Sequence, residues 1–310
     1  MDQTSSPTAS APNYAPASKG TMLRQMVRVF MQNKLAVASL IYIVLLTIAC
    51  IVIPLFYKTS FTAYNNFSNN SCYDSSTLGY SGPSLHHLLG CSSSGFDELG
   101  LIMFAGRYSL LIGYLSAIVT MTFGVAYGIF AGFRGGWIDA IMMRIDDMLL
   151  SIPGLYLLLL IITIWGRSTL GLIIVIGATG WFGVARLMRG EALQLRNREY
   201  SQAVRVMGGS GSRIMMKHIL PNAISTMVTT ATFALGDSIL ALSGLGFLGF
   251  GLQAPAIDWG TMIQNAIDTF ENGSWWTLWP LAIVFILLVL STNYIGDALR
   301  DAFEVRLQER

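Results

Sequence analysis

Few side chains in this chain could do chemistry. It has three histidines and three cysteines in 310 residues. His86 and His87 are neighbours, a poor spacing for joint metal ligation, and no Cys-His cluster accompanies them, so no metal site is predicted. His218 shortly precedes Pro221 and reads as structural. No Ser-His-Asp arrangement emerges from so few histidines, and no GxxxxGK[ST] phosphate loop occurs, so the chain is not expected to hydrolyse ATP itself. No catalytic residue and no cofactor of its own is therefore predicted. Three other features remain: a cysteine pair, acids within apolar sequence, and a basic stretch between two apolar segments.

Cys72 and Cys91 fall in a polar loop, whereas Cys50 lies in an apolar run. A Cys72–Cys91 bridge would close that loop and stiffen it, the alternative being two unpaired thiols. Asp237 is the one acid well inside a predicted span. A charge at mid-membrane costs roughly 2.5–3.5 kcal/mol on insertion scales, so it should face protein or water. It reads as a pathway-lining residue or as an acid hydrogen-bonded between helices. Asp146 and Asp147 read as acids at a helix start, favoured by the positive end of the helix dipole.

The elements that must position these groups are membrane helices. At 53% hydrophobic and 12% charged, the chain is too apolar for a typical soluble domain, and a net charge of +2 does not point to nucleic acid. Residues 1–18, rich in Ser, Pro and Ala, read as a disordered tail rather than a signal peptide. Six apolar segments of about span length follow: Leu35 to Phe56, Leu110 to Phe130, about Met143 to Trp165, Leu170 to Met188, Ala223 to about Gly244, and Leu278 to about Ile295. The stretch 245–276 has too many Gly, Pro and polar residues for a span. Of the 19 Lys and Arg residues, all but Lys58, Arg107 and Arg167 fall in segments that six spans place on one side. The positive-inside rule then predicts an all-α membrane protein with both termini cytoplasmic. The expected organisation is a tail (1–18), an N-terminal segment with the first span (19–57), an extracytoplasmic loop (58–106), a five-helix core (107–299) and a cytoplasmic C-terminal tail (300–310). Gly124, Gly128 and Gly132 recur every fourth residue, a face that lets backbones approach, within the chain or against a second subunit.

The basic stretch is Glu199 to Asn222, EYSQAVRVMGGSGSRIMMKHILPN. Tyr200, Ala203, Val204 and Met207 fall at i, i+3, i+4 and i+7, one face of a short helix, with Gln202 and Arg205 off it. Gly208 and Gly209 end that helix, Ser210 or Ser212 can cap a second, and Pro221 suits the first turn of the next long one. A helix–glycine turn–helix module on the cytoplasmic membrane surface is predicted.

The string Ala203, Gly208 and Leu220-Pro221 resembles the EAA loop of binding-protein-dependent ABC importer permeases, with Gln202 and Val204 in place of the consensus Glu and second Ala. Beyond it, the chain from about Arg28 resembles the C-type permease of dipeptide and oligopeptide importers. Arg28 to Ala36 is similar to that subfamily's N-terminal segment, and Gly106-Arg107-Tyr108-Ser109-Leu110 to its GxRxSL motif. Trp181 to Asn222 follows W…ARxxRG…L…R…EY…A…G…HILPN. Leu245 to Gly251 resembles LSFLGLG with Gly246 for Ser. Gln253, Pro255 and Trp259-Gly260 match QxPxxxWG, and Asn293 to Asp301 resembles NxxGDxLRD. Upstream, Cys91, Ser92 and Phe96 replace the Thr, Asp and Arg of LGTDxxGRD.

The resemblance implies a type I ABC importer permease fold of six transmembrane helices in the bacterial plasma (inner) membrane, forming half of a pore for dipeptides or oligopeptides. The implied partners are a homologous second permease, two ATP-binding subunits that bind ATP and Mg and hydrolyse the nucleotide, and an extracytoplasmic substrate-binding protein. The loop 197–221 would be the coupling helix, with Tyr200, Gln202, Ala203, Val204, Arg205, Met207, Gly208, Leu220 and Pro221 as its residues. Tyr200, Ala203, Val204 and Met207 would touch the ATPase, and Gly208 would fix the turn. A nickel-chelate permease shares these motifs. From another class, an ion-coupled secondary transporter would predict paired intramembrane acids and leaves the central loop without a role.

Overall fold

A computed structural model describes residues 19–56, 72–74, 79–92 and 95–308. The expected tail 1–18 lies outside the described residues. The first helix, α1 (Lys19–Gln32), stops at Asn33, whose side-chain oxygen accepts from the Ala36 amide and caps α2 (Lys34–Phe56). At 23 residues α2 is about 35 Å long, enough to cross a hydrocarbon core. Two short strands, β1 (Tyr73–Asp74) and β2 (Gly79–Tyr80), pair antiparallel in the following loop.

Next come α3 (Glu98–Arg134), α4 (Gly136–Leu150), α5 (Gly154–Trp165), α6 (Thr169–Arg196), and the short helices α7 (Glu199–Val206) and α8 (Gly211–Ile214). A π-helical turn (Met215–Ile219) and α9 (Leu220–Asn222) lead into α10 (Ile224–Phe247). The chain closes with α11 (Trp259–Glu271) and α12 (Trp279–Gln308). Among the described residues, five helical segments are long and apolar enough to cross a membrane: α2, α3, α6, α10 and the segment containing α12.

The third predicted span is not one straight helix. Its sequence is divided between α4 and α5, which meet at 88°. Pro153 explains the break, because it lacks an amide donor and pushes Ile152 out of the helical region. The connection between the second and third predicted spans is largely helical, since α4 begins at Gly136 after a turn in which Gly135 and Gly136 both have positive φ. Nor do Asp146 and Asp147 start a helix: they lie near the end of α4, where the dipole argument would disfavour them. The tail expected from residue 300 is the last part of α12. Residues 245–276 hold only the 13-residue α11, about 20 Å long and too short to span.

The core is built on α3. A side chain at Gly124 would collide with Val184, at Gly128 with the Ala185 carbonyl, and at Gly132 with the Arg189 carbonyl. The every-fourth-residue glycines therefore seat α3 directly on α6 of the same chain, a close backbone approach that larger residues would prevent. At the other end of α3, Trp259 is fully buried. Its indole donates to the Ile102 carbonyl and its amide to the Ser109 hydroxyl, while Gly106 leaves room for the ring. Asp258, also buried, accepts from the amides of Leu252 and Thr261 and from the Thr261 hydroxyl. A side chain at Gly246 would strike that carboxylate, which accounts for glycine there.

Candidate coupling surface and its supports

The segment between α6 and α10 folds as a helix–turn–helix. Arg198 precedes α7, and the Ser201 hydroxyl donates to the Leu195 carbonyl, tying α7 to the end of α6. Met207 ends the helix, and Gly208 follows at φ +80°, a conformation open to glycine and strained for other residues. Ser210 then caps α8 by accepting from the Arg213 amide; Ser212 does not take that role. Pro221 sits in α9, where its missing donor costs nothing.

Tyr200, Gln202, Ala203, Arg205 and Met207 are exposed, as is Pro221, while Leu220 is half-buried. Val204 departs from the face assigned to it. It turns inward against the cluster of Val125, Met188, Ile214 and Ile219, and a side chain at Gly209 would overlap it. The exposed apolar surface comes instead from Val206, 88% exposed, and Met207, 77% exposed. Sequence periodicity misses Val206 because it lies off the 200–203–204–207 line; the anchoring of Ser201 and the packing of Val204 fix how α7 is rotated. Tyr200 and His218 face each other across the module, with ring centroids 6.4 Å apart.

Two arginines of α6 secure α4 beside this module. Arg189 makes a bidentate pair with Asp139, and Arg186 bonds both Asp146, at 3.4 Å, and Asp147. Asp146 is fully buried, and its second oxygen has no hydrogen-bond partner among the described residues. The Tyr127 hydroxyl adds a bond from α3 to the Met142 carbonyl of α4, 2.8 Å. The arginines of the ARxxRG string thus bind the acids of the neighbouring helix.

A cavity of about 1180 Å³ opens among the ends of α6, α10 and α12 and the start of α7. Thr226, Thr230 and Phe233 of α10 line it. Asp237 continues that face at helical spacing, is exposed on this chain, and makes no hydrogen bond or ion pair among the described residues. The reading of Asp237 as an acid hydrogen-bonded between helices therefore does not hold within the described chain.

At the opposite end, Cys72 and Cys91 form a disulfide with Cα atoms 5.8 Å apart. His87 sits beside it and pairs with Asp97 at 2.9 Å, while the other Asp97 oxygen caps α3 through Gly100. His86 is exposed and takes no part.

The family described as "Binding-protein-dependent transport system inner membrane component" matches residues 124–309, which include the helix–turn–helix and its supports. The chain belongs to this family. Its N-terminal part, residues 21–73, matches the "N-terminal TM domain of oligopeptide transport permease C". Similar proteins include the oligopeptide transport system permease protein OppC of Bacillus subtilis, 33% identical over 94% of this chain and 90% of its own length. The OppC of Haemophilus influenzae is 36% identical over 89% of this chain and 86% of its own. The dipeptide transport system permease protein DppC of Bacillus subtilis is 33% identical over 89% and 83%. As a binding-protein-dependent transport permease, the chain is a multi-pass component of an inner membrane transport system, and its long apolar helices are the spans of that component.

Proposed function

We propose that this chain is one half of the translocation pathway of an ATP-driven importer of dipeptides or oligopeptides in the bacterial inner membrane. The relatives' names support peptide as the substrate class. In this reading the spans number six, α4 and α5 together being a broken third one, and both termini are cytoplasmic, as the distribution of Lys and Arg favours. A homologous second permease supplies the other half. Two ATP-binding subunits bind ATP and Mg and do the hydrolysis, so this chain is not itself an enzyme. An extracytoplasmic binding protein delivers the peptide.

The observation that carries the reading is the exposed α7 with its glycine turn. Tyr200, Gln202, Ala203, Arg205 and Met207, joined by Val206, form the ATPase-facing surface. Val204 holds α7 on its own chain, Gly208 sets the turn, and Leu220 and Pro221 link the module to α10. Movement of the ATPases then reaches α10, whose face carries Thr226, Thr230, Phe233 and Asp237. Asp237 lines the pathway in this reading. ATP and substrate act as a coupled switch only if each favours one state of the permease.

The decisive experiment is to extract the tagged chain from native membranes in mild detergent and identify its companions by mass spectrometry. Two ATPases and a second six-span permease are expected, with the binding protein accompanying them. Recovery of the chain alone, from an extract in which other membrane complexes survive, overturns the proposal.

A further inference from the structure

A second, smaller cavity of about 160 Å³ lies where the start of α3, the segment before α11 and α11 itself meet. It is remote in sequence from the coupling module. Its polar lining is Ser92, Glu98, Thr261, Asn265, Thr269 and Thr277, and the other walls are apolar. At 37 residues α3 is about 55 Å long, well beyond a hydrocarbon core of about 30 Å, so its charged first turns can project from the bilayer.

Glu98 is 2% exposed, and its carboxyl makes no hydrogen bond or ion pair among the described residues. A carboxyl on so deeply buried a residue without a protein partner is rare, and this one opens onto the cavity instead of being sealed in protein. The hydroxyls around it have their protons committed elsewhere. Thr261 donates to Asp258 at 2.9 Å, and the Thr269 and Thr277 hydroxyls lie 3.0 Å from each other and 2.9 and 2.8 Å from the Ala266 and Ser274 carbonyls, so their two protons are taken up within that set. Their remaining capacity is to accept. Ser92 accepts from the Phe96 amide and keeps its proton, while Asn265 stands at the exposed rim. The interior is thus rich in acceptors around one acidic group.

That chemistry selects the ligand. Calcium and magnesium each bring two positive charges, and the single carboxylate of this lining would leave one of them uncompensated. A primary ammonium brings one positive charge and three donors, matching one carboxylate and hydroxyl acceptors. The space exceeds the roughly 10–15 Å³ that a single water requires, so it admits the ammonium with a short stem. We propose that this cavity binds a primary ammonium group, with Glu98 as its counter-ion. The group comes either from a free small amine or from the amino terminus of a peptide; the second source rests on the importer reading, the site itself does not.

The test is saturation binding of labelled methylammonium to the full chain, with whatever partners co-purify, in lipid nanodiscs. Saturable binding is expected. Glu98→Gln should weaken it by at least about tenfold, as loss of a charge-assisted contact does. Removing an unpartnered buried carboxyl should not unfold the protein, which its thermal midpoint checks. Ala266→Leu, which fills the cavity while leaving Glu98 in place, should abolish binding, and Glu271→Gln, at an exposed acid at the end of α11, should leave it unchanged. Competition by diglycine but not by N-acetyl-diglycine assigns the group to a peptide terminus; competition by neither assigns it to a free amine. Absence of saturable binding, equal binding by Glu98→Gln, or displacement by sodium or potassium at equal concentration overturns the site. Failure to recover ATPases would remove the importer reading and leave this result standing.

Discussion

Arg189 holds Asp139 with two edges of its guanidinium, Nε donating to Oδ1 at 2.8 Å and Nη2 to Oδ2 at 2.7 Å. The pair joins α6 to the first turn of α4 just beyond the glycine turn at 135–136, and so fixes the angle at which the bent α4–α5 unit leaves α3. A bidentate geometry is specific to arginine, since lysine offers a single point charge.

Asp139→Asn is therefore expected to lower stability by roughly 1–3 kcal/mol, the range for hydrogen bonds to charged groups. The 3–5 kcal/mol of a fully buried pair does not apply, because the Arg189 side chain is 35% exposed. Thermal unfolding in detergent measures the loss. Arg189→Lys should recover only part of it, and full stability in that variant would show that bidentate geometry is irrelevant.

The glycine seam makes a sharper forecast. Gly128→Ala places a methyl against the Ala185 carbonyl, a backbone atom that cannot swing aside. Gly183→Ala, on α6 with nothing within 4 Å, meets open space. The first should cost about 1–3 kcal/mol through overpacking, and the second should be neutral or stabilising by about 0.5–1 kcal/mol through helix propensity. Equal melting points for the two variants would refute a tight α3–α6 contact.

Cys72 and Cys91 are 19 residues apart, and closing a loop of that length stabilises by about 3 kcal/mol in the chain-entropy account. Reduction, or the Cys72→Ser/Cys91→Ser double variant, should lower the melting point of the outer loop and increase proteolysis there. The effect should remain local, because α7 and α8 contribute nothing to that end. Protease sensitivity that does not change on reduction would remove the bridge from the stability of this face.

Much of the architecture was legible because membrane helices announce themselves by apolar length and by where the basic residues fall. The spacing of Gly124, Gly128 and Gly132 signalled close packing, and α6 answers it within the chain. Misreadings arose where a local signal competed with hydropathy. Apolar residues on both sides of Pro153-Gly154 read as one span, although that dipeptide marks the bend between α4 and α5. Asp146 and Asp147 read as acids at a helix start because their partner, Arg186, lies 40 and 39 residues away, and such separations leave no periodic trace. Val204 and Val206 exchange roles for a related reason: an eight-residue helix has too few turns for periodicity to fix its rotation, so a tertiary bond, Ser201 to Leu195, decides. Asp258 and Glu98 give no sequence signal of burial, because an acid in a polar stretch looks solvated until its neighbours are in place.

The coupling reading stands or falls on Gly208. Its φ of +80° turns the chain from α7 toward α8, and its amide donates to the Arg205 carbonyl at 3.1 Å. Nothing lies within 4 Å of where a side chain would point, so a substitution there acts through backbone conformation rather than through a clash. Alanine in the left-handed region costs roughly 1–2 kcal/mol, about a five- to thirty-fold loss in population of the native turn. Proline cannot adopt the conformation, being locked near −65°, and also removes the donor. In membranes containing the assembled importer, Gly208→Ala should reduce peptide uptake per ATP hydrolysed, and Gly208→Pro should abolish uptake while ATP hydrolysis continues. The graded order separates loss of coupling from loss of assembly, which immunoprecipitation of the ATPases checks independently. Normal uptake per ATP in the proline variant would mean that the turn transmits nothing, and α7 would then be an interfacial helix without a coupling role.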